Sequence, residues 1–332
     1  YAWFAKLMQK NNIKTLVTAH HADDNLETFL INLSRGTGMD GLTGIPSKTD
    51  TISRPLLAFS RAQILDYATA ENLNWVEDRS NADVKYLRNK IRHEIVPFLK
   101  ELHPTFLKNF ELTQSYLTDS NVILNNHITL LKSRIFETYA HGFRISIDEL
   151  AVLHPQDTYL YALLKDYGFT AWEDIARLLQ GLSGKEVRSK THRLVKDRKH
   201  LLLAELGVEV VKKVIIEEGQ SEIQKPFHLI KEDVDSLKER NENILYVDKD
   251  SLKYPLVVRK WEKGDYFYPF GMSGKKKLSK YFKDEKVDVI SKEKQWLLCS
   301  ENEIVWVIGK RSDRRFSVTD KTKNIVKFIL GQ

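Results

Sequence analysis

Residues 18–46 read TAHHADDNLETFLINLSRGTGMDGLTGIP, and this stretch decides the fold class. A strand-like run at residues 15–18 leads into His20 and His21, and an acid-rich helix start and a glycine-rich loop follow. Open α/β sheets bind their ligands beyond the carboxyl ends of their strands. The order of these features therefore predicts an α/β domain whose chemistry lies at the end of a strand.

The helix after the histidines is predicted to keep its carboxylates away from its apolar face. At about 100° per residue, the apolar face consists of Leu26, Phe29, Leu30 and Leu33. Asp24 and Glu27 lie on the other side at i, i+3 spacing, so both can reach one cation. Alternatively, these acids do no more than stabilise the helix dipole. The adjacent histidines and the SRGTG loop favour a pocket for an amine or a magnesium ion, whereas HHxDD lacks the spaced histidine pair of zinc hydrolases.

The composition is typical of a globular protein with two or three domains. The 332 residues are 42% hydrophobic and 29% charged, and no apolar run approaches the roughly 18 residues of a membrane helix. The single cysteine, Cys299, excludes an intrachain disulfide and a cysteine-based zinc cluster. These features favour the cytoplasm and no membrane partner. The net charge of +7 fits either a solvated basic surface or a polyanionic partner such as nucleic acid.

Changes of pattern along the chain predict four segments. They are an α/β domain at 1–103, a helical domain at 104–205 closed by a β-hairpin, a linker region at 206–243 and a small α+β module at 244–332. The expected elements are a buried strand at 14–19, helices at 1–9, 23–34, 61–71 and 86–102 (the last interrupted near Pro97), a hairpin that turns at Asp197 and Arg198, and a charged helix at 231–240. Ser60 is expected to cap the helix at 61–71.

Several short motifs occur in order along the chain. After HHADDNLET and LSRGTGMDGLTGIP come RPLL at 54–57, EDRSN at 77–81 and YLRNKIR at 86–92, then KGD at 263–265, PFGM at 269–272, GKKKL at 274–278 and VWVIGKR at 305–311. Together they resemble the tRNA(Ile)-lysidine synthases, a family of N-type ATP pyrophosphatases. The resemblance spans about residues 1–316. It implies a partial Rossmann-like ATP-pyrophosphatase domain, then a helical domain and a small α+β C-terminal domain.

The resemblance also implies an activity and its partners. Such ligases form a carbon–nitrogen bond: they adenylate the wobble cytidine of an isoleucine tRNA with ATP and Mg²⁺, and the ε-amine of L-lysine then displaces AMP to give lysidine. The anticodon region of the tRNA is the expected contact, and a homodimer is compatible with the resemblance. The family's phosphate-binding loop, Ser-Gly-Gly-x-Asp-Ser, does not occur in the sequence. We therefore expect it upstream of Tyr1, and expect this fragment alone to be inactive.

Site residues follow from the motifs that match. The resemblance assigns His20, Asp24 and Glu27 to the reaction centre, with Asp24 and Glu27 holding lysine. A lysine nucleophile must attack as the neutral amine, so His20 is a candidate base, although a strand-end histidine can also simply bond to backbone.

Three arginines have two interpretations each. Arg88 and Arg92 are spaced i, i+4, so they share one helix face. They are expected either to contact phosphates of ATP or tRNA, or to form surface ion pairs with Asp83 or Glu94. Arg35, before Gly36, has the same two interpretations. The metal ligands are unknown.

Two basic clusters are candidates for tRNA contact. The first contains Lys185, Arg188, Lys190 and Arg193, and the second contains Lys275, Lys276, Lys277 and Lys280. A solvated basic face is the alternative, but an RNA substrate favours phosphate contacts. We expect the three consecutive lysines to lie in an exposed loop. We expect the aromatic residues between Trp261 and Phe270, namely Tyr266, Phe267 and Tyr268, to belong to the core.

Two other functions compete with lysidine formation. One is another tRNA-modifying ATP pyrophosphatase such as a thiolase, which is disfavoured because thiolases need catalytic cysteines and this chain has one. The other is a non-catalytic RNA-binding protein.

Overall fold

The computed structural model describes residues 1–76, 86–207, 213–239 and 241–331. The EDRSN element at 77–81, with Asp83, lies outside the described residues, as do residues 208–212 of the expected linker region. The chain divides into two units, Tyr1–Leu131 and Lys132–Gln332. In the described ranges, no helix is both long enough and apolar enough to cross a membrane.

The first unit is mainly helical around a short sheet. Its elements are α1 (Ala2–Lys10), β1 (Leu16–Val17), α2 (Ala22–Ser34), α3 (Met39–Leu42), β2 (Ile52–Ser53), α4 (Arg61–Ala70), α5 (Leu87–Lys90), α6 (Val96–Leu102) and α7 (Phe106–Ile135), whose last turn enters the second unit. The predicted helices at 1–9, 23–34 and 61–71 are confirmed. Ser60 accepts a hydrogen bond from the Gln63 N–H and so caps α4 as expected.

The core of this unit lies against the apolar face of α2. Leu26 packs with Ile91, Val96 and Phe110, and Phe29 contacts Phe110 edge to face with ring centroids 5.2 Å apart. This packing fixes the rotation of α2 about its axis. Asp24 and Glu27, on the neighbouring face of α2, meet Arg88 and Arg92 from the same segment that supplies Ile91.

β1 and β2 are parallel, with Leu16 opposite Ile52 and Val17 opposite Ser53. The predicted strand therefore exists, but its predicted burial is wrong because Val17 is 63% exposed. In the described part of the chain this sheet has two strands. Both strands run toward the same edge, where the chain continues into His20 and into Arg54.

The predicted helix at 86–102 is continuous but irregular. A π-helical turn, Ile91–Ile95, joins α5 to α6 and ends just before Pro97. Proline has no N–H to donate to the preceding turn, so a local change of helix type is the expected response. The irregularity predicted near Pro97 is therefore a change of helix type, and the helix is not broken there.

The second unit begins with helices packed beside a five-stranded sheet. The helices are α8 (Ile147–Ala151), α9 (Gln156–Leu164) and α10 (Trp172–Gln180), and the strands are β3 (Phe136–Tyr139), β4 (Gly142–Ser146), β5 (Glu186–Arg188), β6 (His192–Asp197) and β7 (His200–Glu205). The sheet order is β3-β4-β7-β6-β5. The predicted hairpin is confirmed, with Asp197 opposite His200. β3 and β4 were not predicted, because four and five residues are too few to show a clear alternation.

The rest of this unit is built from strands and two short helices. They are β8 (Lys213–Ile216), β9 (Glu222–Ile223), β10 (Leu229–Val234), β11 (Ile244–Asp248), β12 (Leu256–Lys260), β13 (Tyr266–Phe267), β14 (Lys276–Lys277), α11 (Leu278–Asp284), α12 (Val289–Lys294), β15 (Trp296–Ser300), β16 (Glu303–Val307) and β17 (Ile325–Leu330). Two four-stranded sheets, β11-β17-β10-β9 and β16-β15-β12-β8, enclose a core that includes Trp306 and Phe328.

The charged helix predicted at 231–240 is wrong. Residues 229–234 form β10, which pairs with β17 from Leu229 opposite Leu330 to Val234 opposite Ile325. Tertiary pairing overrides the local charge pattern here, and Leu229 is buried in the sheet core. β8, β9 and β10 are thus strands of the C-terminal sheets, although they lie in the segment expected to be a linker.

Candidate active site

His21 opens the site by capping the helix that carries the acids. Its Nδ1 accepts a hydrogen bond from the Asp24 N–H at 3.3 Å, and its own N–H donates to Asp24 Oδ2 at 3.1 Å. This reciprocal cap satisfies backbone groups that a helix start otherwise leaves unpaired. It also holds the Asp24 carboxylate at the carboxyl end of β1.

Asp24 and Glu27 are bound by two arginines from the other side of the domain. Arg88 donates from Nε to Glu27 at 2.8 Å and from Nη2 to Asp24 at 3.1 Å. Arg92 donates from Nε to Glu27 at 2.6 Å and from Nη2 to Asp24 at 3.1 Å. We call these four residues the carboxylate–arginine cluster. Glu27 is 1% exposed, so its charge depends on these partners.

The cluster joins two pairs that the sequence suggested separately. The i, i+4 spacing of Arg88 and Arg92 was expected to face phosphates or to form surface ion pairs with Asp83 or Glu94. In the described residues, both arginines form ion pairs with Asp24 and Glu27 of α2, whereas Asp83 lies outside the described residues. The hydrogen bond from Arg92 to Glu27 raises the pKa of the arginine, against the effect of burial. Two negative and two positive charges therefore balance at this position.

His20 lies beside the cluster at the end of β1. Its Nδ1 is 2.9 Å from Thr18 Oγ1. Burial lowers its pKa below 6.5, and the nearby charges of Arg54 and Arg88 act in the same direction, while Asp24 opposes them. His20 is therefore neutral near pH 7, the form in which an imidazole can accept a proton.

Asp23 has a separate role from its neighbour Asp24. It accepts a hydrogen bond from the Arg61 N–H at 2.8 Å and forms an ion pair with Lys100. Burial would raise the pKa of Asp23, but these two partners outweigh it and the pKa is lowered. Asp23 thus ties α2 to the start of α4 and to α6.

Asn25 and Gln114 anchor the glycine-rich loop, and neither was singled out from the sequence. Asn25 accepts a hydrogen bond from the Ile45 N–H at 2.8 Å and donates to the Gln114 side chain. Gly44 adopts φ +79°, and a Cβ there would lie 2.2 Å from Gln114 Nε2 and 2.3 Å from Asn25 Oδ1. In the sequence, Gly44 itself marks this loop as a tight turn. Gln114 lies 70 positions further along the chain, so its contact with the loop could not be predicted from local sequence.

Arg35 lies outside the carboxylate–arginine cluster. It follows the last residue of α2 and is exposed. Arg35 lies eleven positions after Asp24 along the helix, which corresponds to about 16 Å along the axis. Its predicted contact with phosphate stays a prediction.

The basic residues of the first predicted cluster in the second unit differ in exposure. Lys185, Arg188 and Lys190 are exposed. Arg193 is not: its side chain is 11% exposed and its Nη2 lies 2.7 Å from Glu293 of α12. Arg193 therefore joins the five-stranded sheet to the C-terminal module, where Ile290 packs against Val195 and Leu202.

The second basic cluster surrounds a cavity of about 490 Å³ lined by Tyr266, Met272, Lys275, Lys277 and Lys280, among others. Lys275 and Lys277 are exposed as predicted, but Lys276 and Lys277 form the strand β14 rather than a loop. Lys276 is 15% exposed in its side chain and pairs with Asp284 at 2.8 Å. The assignment of Tyr266 to the core is also wrong, because the residue is 46% exposed and Lys275 Nζ lies 5.1 Å from its ring centroid.

Comparisons with known proteins agree with this layout. Residues 1–99 match the family model of the PP-loop domain, residues 138–206 that of the TilS substrate binding domain, and residues 256–328 that of the TilS substrate C-terminal domain. The tRNA(Ile)-lysidine synthase of Parabacteroides distasonis is 38% identical over 98% of this chain and 75% of its own length. The enzyme of the same name from Bacteroides thetaiotaomicron is 36% identical over 98% of this chain and 74% of its own.

The chain belongs to the tRNA(Ile)-lysidine synthase family. As a member of this lysidine synthase family, it has its carboxylate–arginine cluster entirely within the segment that matches the PP-loop domain. That domain implies the use of ATP. The two predicted basic clusters fall in the segments that match the two TilS substrate domains.

Magnesium has no ready-made protein site in the described residues of this lysidine synthase. No group of three or more histidine, cysteine, aspartate or glutamate side chains is placed there to hold a metal ion. Asp24 and Glu27 are both paired with arginines in this structure. Mg²⁺ commonly binds through substrate phosphates and one or two carboxylates, so its binding would depend on the nucleotide.

Proposed function

We propose that this chain carries out ATP-dependent ligation of L-lysine to the wobble cytidine of isoleucine tRNA. Membership of the tRNA(Ile)-lysidine synthase family supports the reaction, and ATP is its energy source. The observation that carries the proposal is the carboxylate–arginine cluster at a strand end of the PP-loop segment. Mg²⁺ accompanying the nucleotide, a homodimer and a cytoplasmic location stay predictions.

The reaction has two steps. The C2 carbonyl oxygen of the cytidine attacks the α-phosphorus of ATP, and pyrophosphate leaves. The lysine ε-amine then attacks C2, AMP leaves with that oxygen, and the nitrogen loses a proton. The second step needs a lysine that is held as an ammonium ion and then gives up a proton.

Asp24 and Glu27 supply the negative charge for holding lysine. Both are already neutralised by arginines, so an incoming ammonium ion must take the place of one guanidinium. Arg88 is the one to leave, because its side chain is 40% exposed against 20% for Arg92. Arg88 can then form an ion pair with an anionic group, while Glu27 remains paired with Arg92. This exchange couples the arrival of lysine to a change in the position of Arg88.

His20 is the candidate base for the proton that the amine loses. Its neutral state and its place beside Asp24 support this role. The Thr18 hydroxyl at Nδ1 holds the ring and leaves Nε2 for the substrate. The same geometry would serve a histidine that only orients the substrate, and the pH dependence of lysine transfer separates the two roles.

The tRNA is proposed to contact exposed basic residues of the second unit. Lys275, Lys277 and Lys280 surround a cavity that also offers the ring of Tyr266. Lys185, Arg188 and Lys190 provide a second exposed group. Lysines suit phosphate oxygens, and an exposed aromatic ring suits an unpaired base. Arg193 and Lys276 pair with Glu293 and Asp284, and their side chains are 11% and 15% exposed, so we no longer favour them as tRNA contacts. Arg188 also pairs with an acid, Glu186, but its side chain is 59% exposed and it stays a candidate.

Adjacent aspartates allow a matched test of this function. In the full-length protein, Asp24→Asn should still release pyrophosphate with ATP and tRNA but should lose transfer of labelled lysine by roughly 10- to 100-fold, as expected for one charged hydrogen bond. Asp23→Asn should lower the unfolding temperature and leave the KM for lysine unchanged. Near wild-type lysine transfer by Asp24→Asn would remove Asp24 from the site. Tight tRNA binding by the wild-type protein without any lysine transfer would instead support a non-catalytic RNA-binding protein.

A further inference from the structure

Arg54 is a buried arginine that the proposed reaction has not used. It follows β2 and is 9% exposed. Its Nη1 donates to the Pro46 carbonyl oxygen at 2.7 Å, and its backbone N–H donates to the Ser47 carbonyl oxygen at 2.8 Å. Its Nε is buried without a hydrogen-bond partner. A guanidinium has five N–H groups in a fixed plane, so most of its donor capacity is unused here.

The charge of Arg54 also lacks a counter-charge. Within residues 1–76, 86–207, 213–239 and 241–331, no carboxylate forms an ion pair with it. Arg88 and Arg92, which are more exposed, each have two carboxylates. A buried charge that is not paired is costly, and proteins retain one where a ligand supplies the opposite charge.

The position of Arg54 indicates which ligand supplies the opposite charge. β1 and β2 are parallel neighbours, with Val17 opposite Ser53, so their carboxyl ends lie at one edge of the sheet. His20 continues from one strand and Arg54 from the other. The charge of Arg54 contributes to lowering the pKa of His20, which is consistent with this proximity. Ligands of α/β domains bind at such an edge.

We propose that Arg54 binds the phosphoryl group of the adenylate, the group that departs as AMP when lysine attacks. A guanidinium matches two phosphate oxygens at once, and the adenylated carbon must lie beside both His20 and the lysine site. Arg54 thereby provides the counter-charge at the leaving group, while Asp24 and Glu27 hold the nucleophile. This inference rests on the proposed function and assigns a further substrate-binding residue to it.

The test is AMP binding to the full-length protein, measured by calorimetry without tRNA or lysine. Arg54→Met should weaken AMP binding at least tenfold, and Arg54→Lys should recover part of that affinity because it keeps the charge without the planar fork. Lysine affinity should be unchanged in both. Arg177→Met is the control, since Arg177 is exposed and pairs within its own helix with Glu173 and Asp174.

Stability separates a binding role from a structural one. Without ligand, Arg54→Met should unfold at a temperature at least as high as wild type, because an unpaired buried charge is removed. AMP should raise the unfolding temperature of wild type and not that of Arg54→Met. The inference would be overturned if Arg54→Met unfolded at a lower temperature than wild type and bound AMP with unchanged affinity. If Arg54→Met does not fold, the same result for Arg54→Lys would overturn it. Failure of the proposed function is a different outcome, namely wild-type protein that binds AMP but forms no lysidine.

Discussion

Arg88 and Arg92 bind the same two carboxylates, yet we expect their removal to have different effects. Arg92→Met takes the less exposed partner from Glu27, so it should lower the free energy of unfolding by about 2 kcal/mol. Arg88→Met should cost less stability and should tighten lysine binding several-fold, because it removes the group that lysine must displace. Chemical denaturation and calorimetry with lysine alone measure the two effects. Equal decreases in stability, or weaker lysine binding in Arg88→Met, would contradict the exchange.

The environment of His20 predicts how lysine transfer depends on pH. Because burial lowers its pKa below 6.5, a base at this position stays active to a lower pH than a free histidine would. The acid limb of kcat/KM for lysine should therefore fall below pH 6.5. Protonation is less favourable in the folded state, so His20 should also make the protein less stable as the pH falls through this range. His20→Asn should remove the acid limb, and an unchanged limb in this variant would assign the proton to another group.

Individual site residues could be predicted from the sequence only where local spacing sufficed. The i, i+3 spacing of Asp24 and Glu27 against the apolar face of α2 placed both acids correctly on one face. Their pairing with Arg88 and Arg92 could not be found in this way, because it depends on how α5 packs on α2. Arg54 was part of a quoted motif, but its missing counter-charge is visible only when burial and partners are known.

At the scale of elements, the stability of the loop between α2 and β2 depends on Gly44 more than on its other glycines. Gly44→Ala should lower the free energy of unfolding by about 2–3 kcal/mol, since it combines a left-handed backbone with clashes against Asn25 and Gln114. Gly36→Ala is the matched control: Gly36 has φ +69° but no atom within 4 Å of the added Cβ, so about 1 kcal/mol is expected. Thermal unfolding of both variants measures the difference, and equal decreases would show that the clash is relieved by movement.

Whole elements were predictable where they carry their own signals. α2 has an apolar face and α4 has the capping residue Ser60, and both signals are visible in the local sequence. The bounds of both helices are close to those predicted. β10 was predicted to be a helix because its charged residues resemble a solvated helix. Its pairing with β17 cannot be predicted from the local sequence. β3 and β4 are short and acquire their structure from pairing with β7. Pairing between strands distant in sequence therefore decided what local pattern could not.

For the whole molecule, the proposed tRNA interface predicts a change in salt dependence. Replacing Lys275, Lys277 and Lys280 together with glutamine should weaken tRNA binding and reduce the slope of log affinity against log salt, by about 0.7–0.9 for each phosphate that is no longer neutralised. A triple replacement of Lys6, Lys10 and Lys14, which are exposed on and after α1, changes the net charge equally and is the control. Titrations at several salt concentrations measure the slope, and identical slopes in both triple variants would exclude the cavity as an RNA-binding surface.

Arg193 should behave differently in the same assay. Its ion pair with Glu293 connects the five-stranded sheet to α12, so Arg193→Gln should lower stability and leave the salt slope unchanged. Glu293→Gln should lower stability as well, and the double variant should be destabilised by less than the sum of the two, by roughly 0.5–1 kcal/mol. Additive effects would mean that the pair contributes nothing as a pair, and a reduced slope in Arg193→Gln would return Arg193 to the tRNA interface.

The strand order β11-β17-β10-β9 has a consequence for how the chain is made. β17 lies between β10 and β11, and Leu330 pairs with Leu229, about a hundred residues earlier. In the part of the chain that the structure describes, β11 pairs with β17, and β10 pairs with β17 and β9. Until Ile325 and the residues after it have been added, β11 therefore lacks this partner strand and β10 has β9 alone among those strands. Both then present unpaired edges, with Leu229 and Val247 still uncovered. The C-terminal module therefore completes its folding after residue 330 has left the exit tunnel, and nascent chains stalled before that point expose the surfaces that chaperones bind.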